Sequence, residues 1–240
     1  MTMDASGMPR ASVDYFRRSW TILDVMRIQR PMAVVTPTLD GDVLTVLARA
    51  SAAFTPGQVS RLVPGGSVDG IRKALNRLVD EGTVIADRAG NAYTYRLNNE
   101  HLAAEPIVAL ARLRETLIVR LTQTVAAWTP APTYAAIFGS AARGEMRSDS
   151  DIDLFLVRPE ASRADQWDEQ VADLALAARR WTGNDVRPLV MSRSEVTAGV
   201  APTDDGLVEP VLEDIAREGI AFAGPSAWLS RQIRTARRIA

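Results

Sequence analysis

The stretch Ala135-Ala136-Ile137-Phe138-Gly139-Ser140-Ala141-Ala142-Arg143-Gly144, continued by Ser150-Asp151-Ile152-Asp153-Leu154-Phe155-Leu156-Val157, decides how this 240-residue chain is read. Its two apolar runs are bounded by Gly, Ser, Asp and Pro, as buried strands are. Side chains at i and i+2 of a strand share a face, so Asp151 and Asp153 project side by side. Two parallel carboxylates repel unless a cation lies between them, and Mg²⁺ carrying a triphosphate meets that need. The Gly139-Ser140 turn offers close backbone approach, free N–H groups and a hydroxyl, all suited to phosphate oxygens. The plainer alternative is a solvated acidic turn at a strand start.

Taken together, Gly139-Ser140, the spacing to Asp151-Ile152-Asp153, the Ala142-Arg143-Gly144 turn and the apolar flanks resemble the signature of the polymerase-beta-like nucleotidyltransferases. Their minimal members and the aminoglycoside nucleotidyltransferases are the nearest likeness, over roughly residues 129–225. The resemblance implies that Gly139 and Ser140 grip a triphosphate while Arg143 and Ser150 support the phosphates and the metal loop. It implies Asp151 and Asp153 as catalytic ligands of two Mg²⁺ ions, with ATP or another nucleoside triphosphate as substrate. The reaction would be in-line attack on the α-phosphate, pyrophosphate leaving, with metals neutralising charge and the protein positioning its reactants. Such families add a third carboxylate on a neighbouring strand. The next strand candidate covers residues 185–191, and Asp185 is its only acid. Asp185 stands at the strand start, whereas Arg187 and Pro188 occupy the middle where the family's third acid lies. It is therefore either the third catalytic carboxylate or an ordinary turn residue.

Composition narrows the remaining classes. A chain of this length with 47% hydrophobic residues can build two modest cores. No apolar run reaches the roughly 20 residues a membrane span requires, and residues 1–9 carry no secretory pattern. A cytoplasmic protein without membrane contact is the expectation. The absence of cysteine excludes disulfides and thiolate chemistry, and His101, the single histidine, makes a His-based metal site or triad untenable. Residues 1–128 hold 15 basic and 12 acidic side chains, net +3, and residues 129–240 hold 13 and 17, net −4, matching the overall −1. Neither half has the charge of a strong nucleic-acid binder, so any DNA contact must be a local patch.

Residues 38–100 can supply one. Val43, Leu44, Val46 and Leu47 mark a short amphipathic helix, and Thr55-Pro56 opens a second that buries Val59, Leu62 and Val63. Ser67 caps a third helix with the stripe Val68, Ile71, Leu75, Leu78 and Val79, stopped by Gly82. Residues 83–87 and 92–97 then flank the turn Arg88-Ala89-Gly90-Asn91 as a hairpin. Three helices and a hairpin in this order resemble a MarR-like winged helix-turn-helix domain. That likeness implies duplex DNA as partner, with Arg72, Lys73, Asn76 and Arg77 as readers in the major groove and Arg88 on the wing. The same surface can instead serve dimerisation or protein docking.

The fold class expected is α+β: an N-terminal extension (1–37), the winged helix (38–100), a linking helix (101–128), a mixed-sheet nucleotidyltransferase domain (129–225) and a basic tail (226–240). Met32 to Val35 are candidates for an additional strand. The linking helix carries Ile107, Leu110, Leu113, Leu117, Leu121, Val125 and Trp128, a stripe that can pack on its own domains or form a homodimer. Ser192 and Glu195 form a capping box, and Arg231, Arg234, Arg237 and Arg238 make the tail a basic amphipathic helix. Three readings follow. The chain transfers AMP or another nucleotide to a protein or nucleic-acid acceptor; or it is a DNA-binding regulator whose second domain senses nucleotide or is inactive; or it is an antitoxin-like interaction protein.

Overall fold

The computed structural model describes residues 26–147, 149–160, 162–201 and 208–239. Residues 1–25 of the expected extension lie outside them. The first unit opens with a 3-10 turn at Pro31–Val34, then helices α1 (Leu39–Ala48), α2 (Pro56–Leu62) and α3 (Val68–Asp80), and strands β1 (Val84–Ala89) and β2 (Ala92–Leu97). The capping signals act as their chemistry dictates. Thr55 and Gln58 form a reciprocal capping box at α2, and the Ser67 hydroxyl accepts the Gly70 N–H at α3. Gly82 closes the C-terminal end of α3 with φ of 73°. The strands pair antiparallel from Val84↔Leu97 to Ala89↔Ala92. Met32, Val43, Leu47, Val59, Ile71, Leu75 and Leu78 form the core beneath them. Met32 to Val35 do not form the strand considered for them. Pro31 starts a tight helical turn there, and Met32 drops into this core.

The linking segment is two helices, α4 (Ala104–Ala111) and α5 (Leu113–Ala126), not one. The helix breaks at Arg112, with φ −102° and ψ 17°, because its apolar stripe serves two different cores. Ile107 and Ala111 belong to the first core; Leu117, Leu121, Val125 and Trp128 belong to the second. The seam is therefore intramolecular, and the stripe considered for a homodimer is buried within its own chain.

The second unit contains β3 (Tyr134–Phe138), the short helix α6 (Gly139–Arg143), β4 (Ile152–Arg158), α7 (Ala164–Thr182), β5 (Val186–Ser192), α8 (Arg193–Val200), α9 (Pro210–Glu218), β6 (Ile220–Ala223) and α10 (Trp228–Ile239). The sheet order is β5-β4-β3-β6, with β4 and β5 parallel and the other pairs antiparallel. This mixed sheet has a core on each face, as an α+β unit requires. Alternation along β4 sends Ile152, Leu154 and Leu156 to the face covered by α5 and α7, where Trp128 meets Trp167 edge-on at 5.2 Å. Phe155 and Val157 go to the opposite face, beneath α8, α9 and α10. The C-terminal residues are thus no appended tail. Trp228, Leu229 and Ile233 are buried, and Trp228 stacks on Tyr134 at 5.5 Å.

A second crossing ties the units together. Met26 and Ile28 lie in the second core, and the Gln29 amide donates to the Met146 carbonyl at 2.7 Å. The next residue, Arg30, binds Asp42 of α1 (Nε to Oδ1, 2.9 Å), and Met32 is already in the first core. Residues 26–32 therefore staple both units. Ile28→Ala should cost about 2–5 kcal/mol, the range for a fully buried Ile truncated to Ala. Urea denaturation followed by tryptophan fluorescence checks this, and a loss below half a kcal/mol would show that the crossing is not part of the core.

Candidate functional site

Gly139, Asp151 and Asp153 meet at one end of the sheet. Phe138, the last residue of β3, is the register partner of Asp153, so Gly139 begins the turn directly beside that carboxylate. Gly139 adopts φ of 67°, a left-handed conformation that disfavours any side chain. A Cβ added there would stand 2.5 Å from Asp153 Oδ2. The glycine is thus required twice, by its backbone and by the carboxylate pressed against it. Ser140 follows on the first turn of α6, where backbone N–H groups have no intrahelical acceptor.

Asp151 immediately precedes β4 and Asp153 is its second residue, both partly buried. Burial first, and the adjacent Asp151 charge second, push the Asp153 carboxyl above its ordinary value; Arg187 and Arg143 pull it the other way. The loop bearing Asp151 is fixed from two sides. The Ser150 hydroxyl accepts the Arg147 N–H at 2.8 Å, and the Ser150 carbonyl accepts the Asn184 amide at 2.9 Å. Asn184 is completely buried at the end of α7, and its role has no signal in the sequence beyond its place in a turn. Arg143 points to two carboxylates, donating from Nε to Glu145 at 2.8 Å and from Nη1 to Glu218 at the end of α9.

Asp185 stands at the entry to β5. Its carbonyl accepts the Ile152 N–H at 2.8 Å, and its exposed carboxylate pairs with Arg179 at 3.3 Å. Arg187, two residues on, is the register partner of Asp153, and its Nη2 lies 2.6 Å from Asp151 Oδ2. The start of β5 thus delivers a cation to the paired carboxylates. Among the described residues, no three His, Cys, Asp or Glu side chains come together in a metal-binding group. Two carboxylates suit one Mg²⁺ completed by phosphate oxygens and water. A second ion at the same site would need a further acid.

The α3 residues expected to read DNA all lie exposed opposite its buried stripe. They are not free charges, however. Lys73 and Arg72 face Asp69 at 2.9 and 3.8 Å, and Arg77 makes a fork to Asp40 of α1 (3.0 and 2.8 Å). Asn76 is exposed between them, and Arg88, at the end of β1, donates to the Gly90 carbonyl at 3.3 Å. Among the described residues no helix is long and apolar enough to cross a membrane.

Two substitutions probe this geometry. Because the Asp153 pKa is raised on folding, its ionised form costs stability at neutral pH, and that cost fades as pH falls through the raised value. Asp153→Asn should therefore raise the melting temperature of the metal-free protein at pH 7, with the gap to wild type closing toward acid pH. Calorimetric melts in EDTA across that range measure it; a lower melting temperature at pH 7 contradicts the electrostatics. Gly139→Ala should lower the melting temperature in the same calorimetric melts, since it strains the turn and displaces Asp153.

Residues 122–187 match the family model described as Polymerase beta, Nucleotidyltransferase. That segment includes the Gly139-Ser140 turn, Asp151, Asp153 and Arg187, and it makes this part of the chain a nucleotidyltransferase-like domain. No curated protein matches the chain at a significant level. Among solved structures, a toxin-antitoxin crystal structure with AMP-PNP is similar at 18% identity, covering 52% of this chain and 85% of that one, with a TM-score of 0.34. The toxin-antitoxin MntA-HpeT mutant is similar at 17% identity over 52% of this chain and 84% of that one, also with a TM-score of 0.34.

Proposed function

We propose that the second unit binds a magnesium–nucleoside triphosphate, ATP first among candidates, and transfers its nucleoside monophosphate to a protein or nucleic-acid acceptor. The observation carrying this reading is the Gly139 turn set against Asp153, two residues from Asp151, within the segment that matches the nucleotidyltransferase family model. Asp151 and Asp153 would hold the cation, which would supply positive charge to offset that of the phosphates. Gly139 and Ser140 offer backbone N–H groups and a hydroxyl to the phosphates. Ser150 and Asn184 keep the metal-bearing loop in place, and Arg143 becomes available to phosphate once released from Glu145 and Glu218. Holding the triphosphate in line with an acceptor supplies the positioning that phosphoryl chemistry mainly demands.

One observation favours a second reading. Asp185 is engaged by Arg179, and Arg187 occupies the strand position facing Asp153. A domain without a third ligand suits nucleotide sensing, in a chain whose first unit then acts as the DNA-binding regulator. That unit would present Arg72, Lys73, Asn76, Arg77 and Arg88 to duplex DNA, with Asp69 and Asp40 exchanged for phosphates.

Calorimetry with ATP and Mg²⁺ tests the shared premise: the Asp151→Asn, Asp153→Asn double variant should lose most of its affinity while remaining folded, and unchanged affinity would remove the site. Transfer of α-phosphate label then separates the readings. Asp185→Asn should retain nucleotide binding. Loss of transfer in that variant assigns Asp185 the third-ligand role, and unaltered transfer makes it a turn residue. For the first unit, Lys73→Ala with Arg77→Ala should weaken DNA binding and flatten the salt dependence by about one to two units, at roughly 0.9 per phosphate contact. Anisotropy across a salt series measures this; a wild type without salt-sensitive binding would make α3 a docking surface.

A further inference from the structure

We infer that Arg187 is a phosphate-binding residue of this site, released from Asp151 when a magnesium–nucleoside triphosphate enters, and that the site takes one divalent cation per nucleotide. The inference rests on the nucleotide-binding reading above and extends it to a residue outside the Gly-Ser and Asp-x-Asp pattern.

Three features converge on Arg187. The first is register: β4 and β5 run parallel with Asp153 opposite Arg187, so both side chains leave the sheet on the same face. Phe138 is the partner of Asp153 on its other side, so Asp153 is flanked by the Gly139 turn and by Arg187. Any phosphate that reaches both the turn and a cation on Asp151 and Asp153 therefore passes within reach of a long guanidinium side chain.

The second is the present partner of Arg187. Its Nη2 lies 2.6 Å from Asp151 Oδ2, with 73% of the Arg187 side chain exposed and 21% of Asp151. In the absence of nucleotide the guanidinium thus supplies the positive charge that two adjacent carboxylates demand. An entering cation takes over that function and repels the guanidinium. An ion pair so exposed on one side is worth little, so it opens readily. The freed guanidinium then has an obvious acceptor, because a triphosphate brings more negative charge than one Mg²⁺ neutralises, and Arg binds phosphate through two parallel N–H bonds.

The third is the donor set. No third acid joins Asp151 and Asp153 among the described residues. The strand position facing Asp153, from which such an acid could reach the site, is filled by this arginine. Two carboxylates and a guanidinium thus give the site ligands for one cation and a donor for one phosphate, with no acid placed to hold a second ion among the described residues.

The experiment uses the full chain with Arg187→Ala and Arg187→Asp, each checked by circular dichroism, and AMP-PNP with Mg²⁺ as the probe. Calorimetry should show Arg187→Ala weakening AMP-PNP–Mg²⁺ binding by about tenfold or more, the usual loss for a hydrogen bond to a charged group. The same variant should bind Mn²⁺ alone more tightly than wild type, since its internal competitor is gone. Counting bound Mn²⁺ by electron paramagnetic resonance should give one ion per AMP-PNP in wild type and two in Arg187→Asp. Equal or tighter nucleotide binding by Arg187→Ala would overturn the inference and make Arg187 a plug. Two ions in wild type would overturn the single-cation clause. A wild type and variants that bind no AMP-PNP would instead sink the nucleotide reading itself, and this inference with it.

Discussion

Two carboxylates at the start of β4 repel each other, and the surrounding site follows from how that repulsion is met. Asp153 is pressed against the Gly139 backbone, so burial and its neighbour raise its pKa. Such a pair persists only where the fold fixes it and where positive charge is at hand. The fold fixes it through the β3–β4–β5 ladders and through Asn184, which holds the Ser150 carbonyl. The charge comes from Arg187 on Asp151. The site is thus electrostatically poised, its anionic face matched to a cation and its flanking arginines matched to anions.

This end of the sheet is also where the architecture is most constrained. Ile152, Leu154 and Leu156 anchor β4 in one core, while Phe155 and Val157 anchor it in the other. A shift of β4 by one residue would exchange those faces and turn Asp153 away from the Gly139 turn. The same cores reach outward. The α5 stripe and Ile28 bind the second unit, while Ile107 and Met32 bind the first. Two separate chain crossings, residues 26–32 and the α4–α5 stripe, thus join the units.

Local chemistry was readable from the sequence wherever one residue and its near neighbours determine the outcome. Thr55, Ser67 and Ser192 cap helices as their side chains dictate, and the two-residue spacing of Asp151 and Asp153 puts their charges within each other's reach. The fold class was readable for the same reason. What depends on register between distant strands was not. Arg187 is visible in the sequence near the start of its strand, yet only the β4–β5 pairing puts it on Asp151. The break at Arg112 was hidden because the apolar stripe runs on unbroken while its partners change. The C-terminal helix reads as a basic surface element until Trp228, Leu229 and Ile233 are weighed against its arginines. Charge patterns on α3 were equally incomplete, since Asp40 lies on a different helix from Arg77.

The most direct measurement is a crystal structure of the full chain with Mn²⁺ and a non-hydrolysable nucleoside triphosphate, with anomalous scattering to locate the metal. The expected result is a single Mn²⁺ between Asp151 and Asp153, triphosphate oxygens on the Gly139-Ser140 turn, and Arg187 turned from Asp151 onto a phosphate. Triphosphate bound elsewhere, or a site still closed by the Arg187–Asp151 pair at saturating nucleotide, would contradict it.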